Sequence, residues 1–227
     1  MVESTRIEPA KFFETPIYIE HRPEFLDKVA PIGQMGIDLV KSSPDFEIDP
    51  IYPVIQSGPL NHPDMFDFIQ YITQLAWNIL NDQGYAMEKY NTFVSEVWSQ
   101  QIEKHGQQFE HIHGAGSQIS GFYFTSVPAN SSYPRFKDPR PGKRQLELPL
   151  KNHHVMSMGK SDVMLGVQAG DIVMTNSWLE HSFVPNKSDE PFEFIHFNII
   201  ASPAVRNTSS RIVSAPQSPQ NTNTEVI

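Results

Sequence analysis

The sequence contains no cysteine, which excludes disulfide bonds and any metal site or cluster held by thiolates. It is also short of basic residues, with 17 Lys and Arg against 26 Asp and Glu, so we expect no broad nucleic-acid-binding face. No apolar run reaches the roughly 18 residues of a transmembrane helix, and the N-terminus lacks the apolar core of a secretory signal. These absences favour a cytoplasmic protein without a membrane partner, and they leave His, Asp and Glu as the available metal ligands.

The 227 residues suit one domain, or one domain with extensions, and are 39% apolar and 11% aromatic, which is the composition of a folded chain. The residue composition and patterning change twice along the sequence. We expect a single domain over residues 1–202, with a helical N-terminal part at 1–88 and a β core at 90–200. Residues 203–227 are rich in Pro, Ser, Asn and Thr, and we expect a flexible tail there.

The N-terminal part carries two helix-like segments. The first begins near Pro23 and continues to Val40, with Pro31 predicting a break or a kink. The second covers residues 64–81, where apolar residues recur at three- and four-residue spacing, and Gly84 ends it. We expect the apolar face of this segment to pack against a sheet.

The β core consists of short strand-like runs separated by Gly, Pro, Asn and Asp. Many short strands with turn signals between them are typical of a sandwich, a barrel or a jelly roll, rather than of alternating βαβ units. No nucleotide-binding glycine motif and no serine-hydrolase elbow is present. The strand candidates are 92–99, 117–126, 144–148, 163–167, 171–174, 181–184 and 192–200.

Three histidines form the candidate metal site. In a strand, His111 and His113 would point to the same face, so their imidazoles can converge on one point. His181 follows a turn several strands later, and a jelly roll can bring two such strand ends together. Three imidazoles suit Fe, Zn or Cu rather than Mg or Ca. His196 alternates with Phe194 in the last core strand and is predicted to face the cavity.

Across residues 90–200 the chain resembles a family of bacterial and phage 2-oxoglutarate/Fe(II) oxygenases that is distantly similar to prolyl hydroxylases. The N-terminal FFETP at 12–16 also looks like that family's opening segment. The motifs that carry the resemblance are Trp98, HIH at 111–113, SGFYF at 120–124, FKDPR at 136–140, GD at 170–171, WLEH at 178–181, PN at 185–186 and FN at 197–198.

The resemblance implies a mostly β, cupin-like double-stranded β-helix with its N-terminal helices packed on the sheet. It also implies Fe(II) and 2-oxoglutarate as cofactors, with His111 as the first metal ligand and His181 as the distal one. In the wider superfamily the position of His113 usually holds Asp or Glu. Glu110 or Glu180 could supply a carboxylate instead, but each is adjacent to a histidine along a strand and should point to the other face.

A second departure concerns the co-substrate. Related enzymes place an Arg or Lys about ten residues after the distal histidine, where it pairs with the C5 carboxylate of 2-oxoglutarate. Here that position falls near Phe192, and no Arg or Lys occurs between Lys187 and Arg206. Residues that could bind the co-substrate instead are Arg135, Lys137, Arg140, Tyr123 and Asn198.

We therefore expect an Fe(II)- and 2-oxoglutarate-dependent oxygenase that hydroxylates an unidentified small-molecule or peptidyl substrate, with Trp178, Phe124 and His196 around the pocket. Two alternatives stay open. The missing cation and the presence of His113 favour a cupin-like three-histidine metalloenzyme that does not use 2-oxoglutarate. A non-catalytic jelly-roll binding or structural module is the other, because the fold hosts many functions. The N-terminal helices could cover a sheet or form a homodimer contact.

Overall fold

The computed structural model describes residues 12–204 except 115 and 147. Within this part, ten strands and three α-helices follow one another along the chain. The strands are β1 (Ile17–His21), β2 (Val54–Gln56), β3 (Tyr90–Ile102), β4 (Gln108–His111), β5 (Ile119–Ser126), β6 (Pro134–Lys137), β7 (Asp162–Met164), β8 (Asp171–Asn176), β9 (His181–Phe183) and β10 (Phe192–Pro203). The helices are α1 (Leu26–Lys41), α2 (Phe66–Asp82) and α3 (Pro141–Gln145).

The strands form two antiparallel sheets. One has six strands in the order β1-β8-β5-β10-β3-β2, and the other has four in the order β4-β9-β6-β7. Apart from β2/β3 and β6/β7, the neighbouring strands are not consecutive along the chain, which is the connectivity of a jelly roll rather than of a meander. The predicted mostly β, jelly-roll architecture with N-terminal helices is confirmed.

Two apolar clusters lie on opposite faces of the six-stranded sheet. On strand β10, Ile195 and Phe197 pack with residues of α1 and α2, whereas Phe192 and Phe194 pack with residues of the four-stranded sheet. Because successive side chains of a strand point to opposite faces, His196 shares the inward face with Phe192 and Phe194. The candidate site is therefore built into the space between the two sheets.

The two predicted helices are present, and of the two outcomes predicted at Pro31, a break or a kink, the break does not occur. Helix α1 continues through Pro31 from Leu26 to Lys41. Its buried face, which includes Val29 and Ile37, packs into the core, and this packing outweighs the roughly 3 kcal/mol that an interior proline costs. Helix α2 ends close to the predicted position, and Gly84 follows it with a positive φ of 92°.

The predicted strand at 144–148 is also wrong. Helix α3 occupies Pro141–Gln145, and both Leu146 and Leu148 are exposed, so no sheet face buries the alternating apolar residues. The N-terminal part, expected to be helical, contributes β1 and β2 as well. Strands β1, β2, β4 and β6 were not predicted, because each is short and pairs with partners far away in sequence.

Most of the predicted tail, 203–227, lies outside the described residues. Pro203 ends β10, and the main-chain N–H of Ala204 donates to the carbonyl of Lys89 over 2.8 Å. Among the described helices, none combines the length and the apolar character needed to cross a bilayer.

Candidate metal centre

His111 and His181 lie directly opposite each other, since the last residue of β4 pairs with the first residue of β9. The Nδ1 of His111 lies 2.7 Å from the carbonyl oxygen of Phe109, and the Nδ1 of His181 lies 2.9 Å from that of Leu179. A carbonyl oxygen only accepts, so both rings carry their proton on Nδ1 and leave a lone pair on Nε2. This is the tautomer that a metal ligand needs.

His113 joins this pair from a loop rather than from a strand. Strand β4 ends at His111, so the expectation that both histidines of the motif share one strand is wrong. The loop is positioned by the main-chain N–H of His113, which donates to the carbonyl of Ser177 over 2.9 Å. Even so, one nitrogen from each of His111, His113 and His181 lies within 4.8 Å of the others.

Burial keeps two of these imidazoles uncharged at neutral pH. Burial is the main cause that lowers the pKa of His181 to about 3 and that of His113 to about 4, and the proximity of His111 lowers both further. Metals bind the neutral form of histidine. His181 is 1% exposed, and its Nε2 has no hydrogen-bond partner among the described residues. A buried unpartnered nitrogen inside a cluster of imidazoles fits Fe(II), and also Zn or Cu.

His196 and Asn198 lie next to the three-histidine cluster, as the sequence predicted for His196. The Nε2 of His196 is 3.1 Å from the Nε2 of His113, and its ring stacks on Trp98 at a centroid distance of 4.2 Å. The Nδ2 of Asn198 is 3.4 Å from the Nδ1 of His113. Both of these residues therefore touch the same ligand candidate from the inward face of β10.

The two glutamates considered as carboxylate ligands point away from the histidines. Glu110 forms an ion pair with Lys137. Glu180 forms ion pairs with Lys137 at 3.5 Å and with Arg144 at 3.4 Å. This matches the alternation expected of residues adjacent to a histidine in a strand. The structure groups His113, and neither glutamate, with His111 and His181.

The cations considered for the co-substrate already have carboxylate partners. The Arg135 guanidinium contacts Asp162 at 2.6 Å. Arg140 donates to both carboxylate oxygens of Asp138 at 2.9 and 2.6 Å. Lys137 pairs with the two glutamates described above. The structure thus brings none of these three cations to the histidines.

Tyr123 is equally remote from the histidines. It belongs to the cluster on the helix side of the six-stranded sheet, and its Oη donates to the carbonyl of Arg22 over 2.9 Å. Its neighbour Phe122, in contrast, faces inward, and its ring lies 5.2 Å from that of His181.

The interior is apolar at the position where the resemblance expects a cation. Phe192 is fully buried, and its ring centroid lies within 6 Å of those of Phe124, Phe183 and Phe194. No lysine or arginine is buried in the part of the chain that the structure describes. Trp178, also predicted at the pocket, is 49% exposed on the turn before His181.

Comparison with known protein families gives a match over the part of the chain that holds the site. Residues 96–198, which include all four clustered histidines, match the family model described as "Putative 2OG-Fe(II) oxygenase". Over these residues, which make up just under half of the chain, the sequence is similar to the 2-oxoglutarate/Fe(II) oxygenase family. Fe(II) and 2-oxoglutarate are the cofactors of this oxygenase family. Among curated proteins, none matches the chain by sequence.

Solved structures share the fold of this chain. A prolyl-4-hydroxylase of Pseudomonas putida matches with a TM-score of 0.55 at 10% identity, over 81% of this chain and 92% of that one. AviO1 of Streptomyces viridochromogenes Tue57 matches with a TM-score of 0.58 at 14% identity, over 90% and 93%. The epimerase SnoN of nogalamycin biosynthesis, solved with Fe3+, alpha ketoglutarate and nogalamycin RO, matches with a TM-score of 0.51 at 13% identity, over 90% and 92%.

Sequence reasoning missed Ser120 and Glu96, the two polar residues that contact Asn198 behind the site. Ser120 donates to Oδ1 of Asn198 over 2.7 Å, and Nδ2 of Asn198 donates to Glu96 over 2.9 Å. These residues lie on three neighbouring strands, where Asn198 is in register with Glu96 on β3 and Ser120 on β5. Their polar character is visible in the sequence, but the register that brings them together is not.

Proposed function

We propose that His111, His113 and His181 hold the Fe(II) of this oxygenase, which hydroxylates a small-molecule or peptidyl substrate. The observation that carries the ligand assignment is the convergence of three imidazole nitrogens within 4.8 Å, one of them buried and unpartnered. Fe(II) needs nitrogen or oxygen donors and open coordination positions, and three protein ligands leave such positions for the co-substrate and O2.

Bound Fe(II) would allow O2 to react with 2-oxoglutarate and a C–H bond of the substrate, so that one oxygen atom enters the hydroxylated product and the other enters the succinate that forms together with CO2. The residues of the chain orient and shield the metal. The carbonyls of Phe109 and Leu179 fix the rings of His111 and His181 through their Nδ1–H groups. The rings of Phe122 and Phe136, at 5.2 and 6.0 Å from that of His181, exclude water from the inner side.

None of the described residues is a buried lysine or arginine that could pair with the distal carboxylate of the co-substrate. Of the residues predicted to bind it, Asn198 is the one whose side chain reaches the histidines. We propose that neutral donors on the inward face of β10 take part in holding 2-oxoglutarate. Phe124, predicted at the pocket, forms part of the apolar wall below them, and Trp178 would form part of the entrance.

Iron-dependent release of succinate from 2-oxoglutarate tests this function. We expect turnover in the wild type and none in His181→Ala, because the alanine removes a ligand. His154→Gln, which changes an exposed loop histidine, should behave like the wild type. Succinate release that persists in His181→Ala would overturn the ligand assignment.

The second candidate function is a three-histidine metalloenzyme that does not use 2-oxoglutarate, and the burial of Phe192 favours it. Succinate formation and 2-oxoglutarate binding by the iron-loaded protein distinguish the two candidate functions. Tight iron binding without succinate formation or 2-oxoglutarate binding would support the second candidate.

A further inference from the structure

His113 differs from the other two histidines in that both of its ring nitrogens face a side chain. Its Nδ1 lies 3.4 Å from Nδ2 of Asn198, and its Nε2 lies 3.1 Å from Nε2 of His196. His111 and His181 each use only Nδ1, on a main-chain carbonyl. The third ligand therefore has a hydrogen-bond environment that the first two lack.

The amide of Asn198 has one possible orientation. Its Oδ1 accepts from the Ser120 hydroxyl over 2.7 Å, and its Nδ2 donates to the Glu96 carboxylate over 2.9 Å. A carboxylate only accepts, so the nitrogen must be on the Glu96 side. This orientation presents an N–H, not an oxygen, to the Nδ1 of His113, and that Nδ1 must accept.

The direction of the hydrogen bonds that run from Glu96 through Asn198 to His113 decides where the proton of His113 lies. If Nδ1 accepts, a neutral ring carries its proton on Nε2, and Nε2 then donates to His196. We propose that Asn198 and His196 hold His113 in the tautomer that is protonated on Nε2 and whose Nδ1 lone pair is occupied by Asn198, so that a metal can reach Nε2 of His113 only by displacing its hydrogen bond to His196. The proposal rests on the proposed function, since it concerns a ligand of that same centre.

In the metal-free protein, His111 and His181 then each have a lone pair on Nε2 for a metal. His113 does not, because its Nε2 carries a proton. For His113 to bind, the proton must leave Nε2 and Nδ1 must take one up, which places two donors, Nδ1–H and the Asn198 N–H, against each other. Asn198 must then turn away, at the expense of its bonds to Ser120 or Glu96. Asn198 and His196 are thus positioning residues that set the metal affinity of the site.

The first variant removes the competing acceptor. His196→Phe keeps an aromatic ring against Trp98 and Phe122, which lie 4.2 and 4.9 Å from the present ring. A net hydrogen bond corresponds to a factor of about three to ten in affinity, so metal affinity should rise by about that factor. If His196 instead supported the bound form of His113, its loss would lower metal affinity by about tenfold or more.

The second variant reverses the direction of the hydrogen bonds between residues 96, 198 and 113. In Glu96→Gln/Asn198→Asp, the new carboxylate accepts from Nδ1–H of His113, while the new amide donates to that carboxylate. His113 then has its lone pair on Nε2, oriented as in other carboxylate–histidine–metal sites. Metal affinity should rise by about ten- to a hundredfold, the range over which such partners act.

The deciding experiment measures the tautomers directly in the metal-free full chain. Long-range proton–nitrogen NMR correlations should show the proton on Nδ1 in His111 and His181 but on Nε2 in His113. In the double variant, His113 should change to Nδ1–H. A wild-type His113 with Nδ1–H would overturn the proposal.

Isothermal titration with Zn(II), and anaerobically with Fe(II), supplies the affinities of the wild type and both variants. An affinity that falls in His196→Phe would also overturn the proposal. A wild type that binds neither metal would refute the proposed function instead, and the NMR result would still decide the tautomer on its own.

Discussion

The rings of His111 and His181 face each other across a strand pair at a centroid distance of 4.5 Å. Each ring donates its Nδ1–H to the carbonyl of the residue two positions earlier, over 2.7 and 2.9 Å. The same local arrangement thus prepares both nitrogens for one metal ion before any metal is bound. This relationship, together with the apolar residues around His181, leads to predictions about metal binding, stability and co-substrate binding.

His181→Phe should abolish metal binding without unfolding the protein. The ring of His181 is surrounded by Phe122 and Phe136, so a phenylalanine fits an apolar site of similar shape. We expect Fe(II) or Zn(II) to raise the melting temperature of the wild type, because a ligand of the native state stabilises it, and to leave that of the variant unchanged. Differential scanning fluorimetry with and without metal measures this. A metal-dependent rise in His181→Phe equal to that of the wild type would contradict the assignment.

The metal-free protein should lose stability as the pH falls below 6.5. Burial holds the pKa of His181 at about 3 and that of His113 at about 4, whereas both have an ordinary value of 6.5 in the unfolded chain. Between pH 6.5 and 4 the unfolded chain therefore binds protons that the folded chain does not. Each such histidine lowers the free energy of unfolding by up to about 1.4 kcal/mol per pH unit.

Urea denaturation between pH 7 and 5 measures this slope. His181→Phe is the matched comparison, because it removes one of the titrating groups and should reduce the slope by about 1.4 kcal/mol per pH unit at most. A stability that does not depend on pH over this range would show that these imidazoles are accessible to protons in the folded state.

Phe192→Arg should be strongly destabilising until 2-oxoglutarate is added. Phe192 is fully buried among other phenylalanines, and an unpaired charge there costs roughly 3–5 kcal/mol. If the distal carboxylate of metal-bound 2-oxoglutarate enters this part of the interior, it pairs with the new guanidinium and restores much of that stability. Melting temperatures with metal, with and without 2-oxoglutarate, measure the rescue. Phe192→Leu is the control and should show none. A Phe192→Arg protein that 2-oxoglutarate does not stabilise would place the carboxylate elsewhere.

Arg140→Gln should leave the affinity for 2-oxoglutarate unchanged. The guanidinium is exposed and is bound to both carboxylate oxygens of Asp138, which also lowers the pKa of that carboxyl group. The Asp138 side chain is only 9% exposed, but the main-chain N–H of residue 140 still donates to its Oδ1 in the variant, so the variant should also fold normally. Titration of the metal-loaded protein with 2-oxoglutarate measures the affinity. A loss of tenfold or more would show that the arginine leaves Asp138 to bind the co-substrate.

Much of the architecture could be predicted because its signals are local. The spacing of apolar residues at 64–81 predicted α2, and the turn signals between short runs predicted most strands of the β core. The strand predicted at 144–148 was wrong, and the break that was one of the two outcomes predicted at Pro31 does not occur, because tertiary packing decides both. Leu146 and Leu148 have no sheet to cover, whereas the buried face of α1 supports the helix across its proline.

The histidines of the candidate site could be predicted from the sequence, whereas its contacts and the co-substrate residues could not, since Tyr123, Arg135 and Arg140 have their partners elsewhere. The HIH motif and His181 indicated the candidate ligands, and the alternation in β10 placed His196 inward. The contact between His196 and His113, and the link from Glu96 through Asn198, depend on the register of β3, β10 and β5. That register is set by side-chain packing across the whole sheet, so sequence periodicity alone does not contain it.

The most direct test of the central claim is an anaerobic titration of the metal-free protein with Fe(II), followed by 2-oxoglutarate, while the visible spectrum is recorded. We predict a weak charge-transfer band of the iron–2-oxoglutarate chelate in the wild type and in His154→Gln, and no band in His181→Ala. Such a result would establish the metal centre and its co-substrate together. A band that persists in His181→Ala would contradict the ligand assignment, and iron binding without a band in the wild type would contradict the use of 2-oxoglutarate.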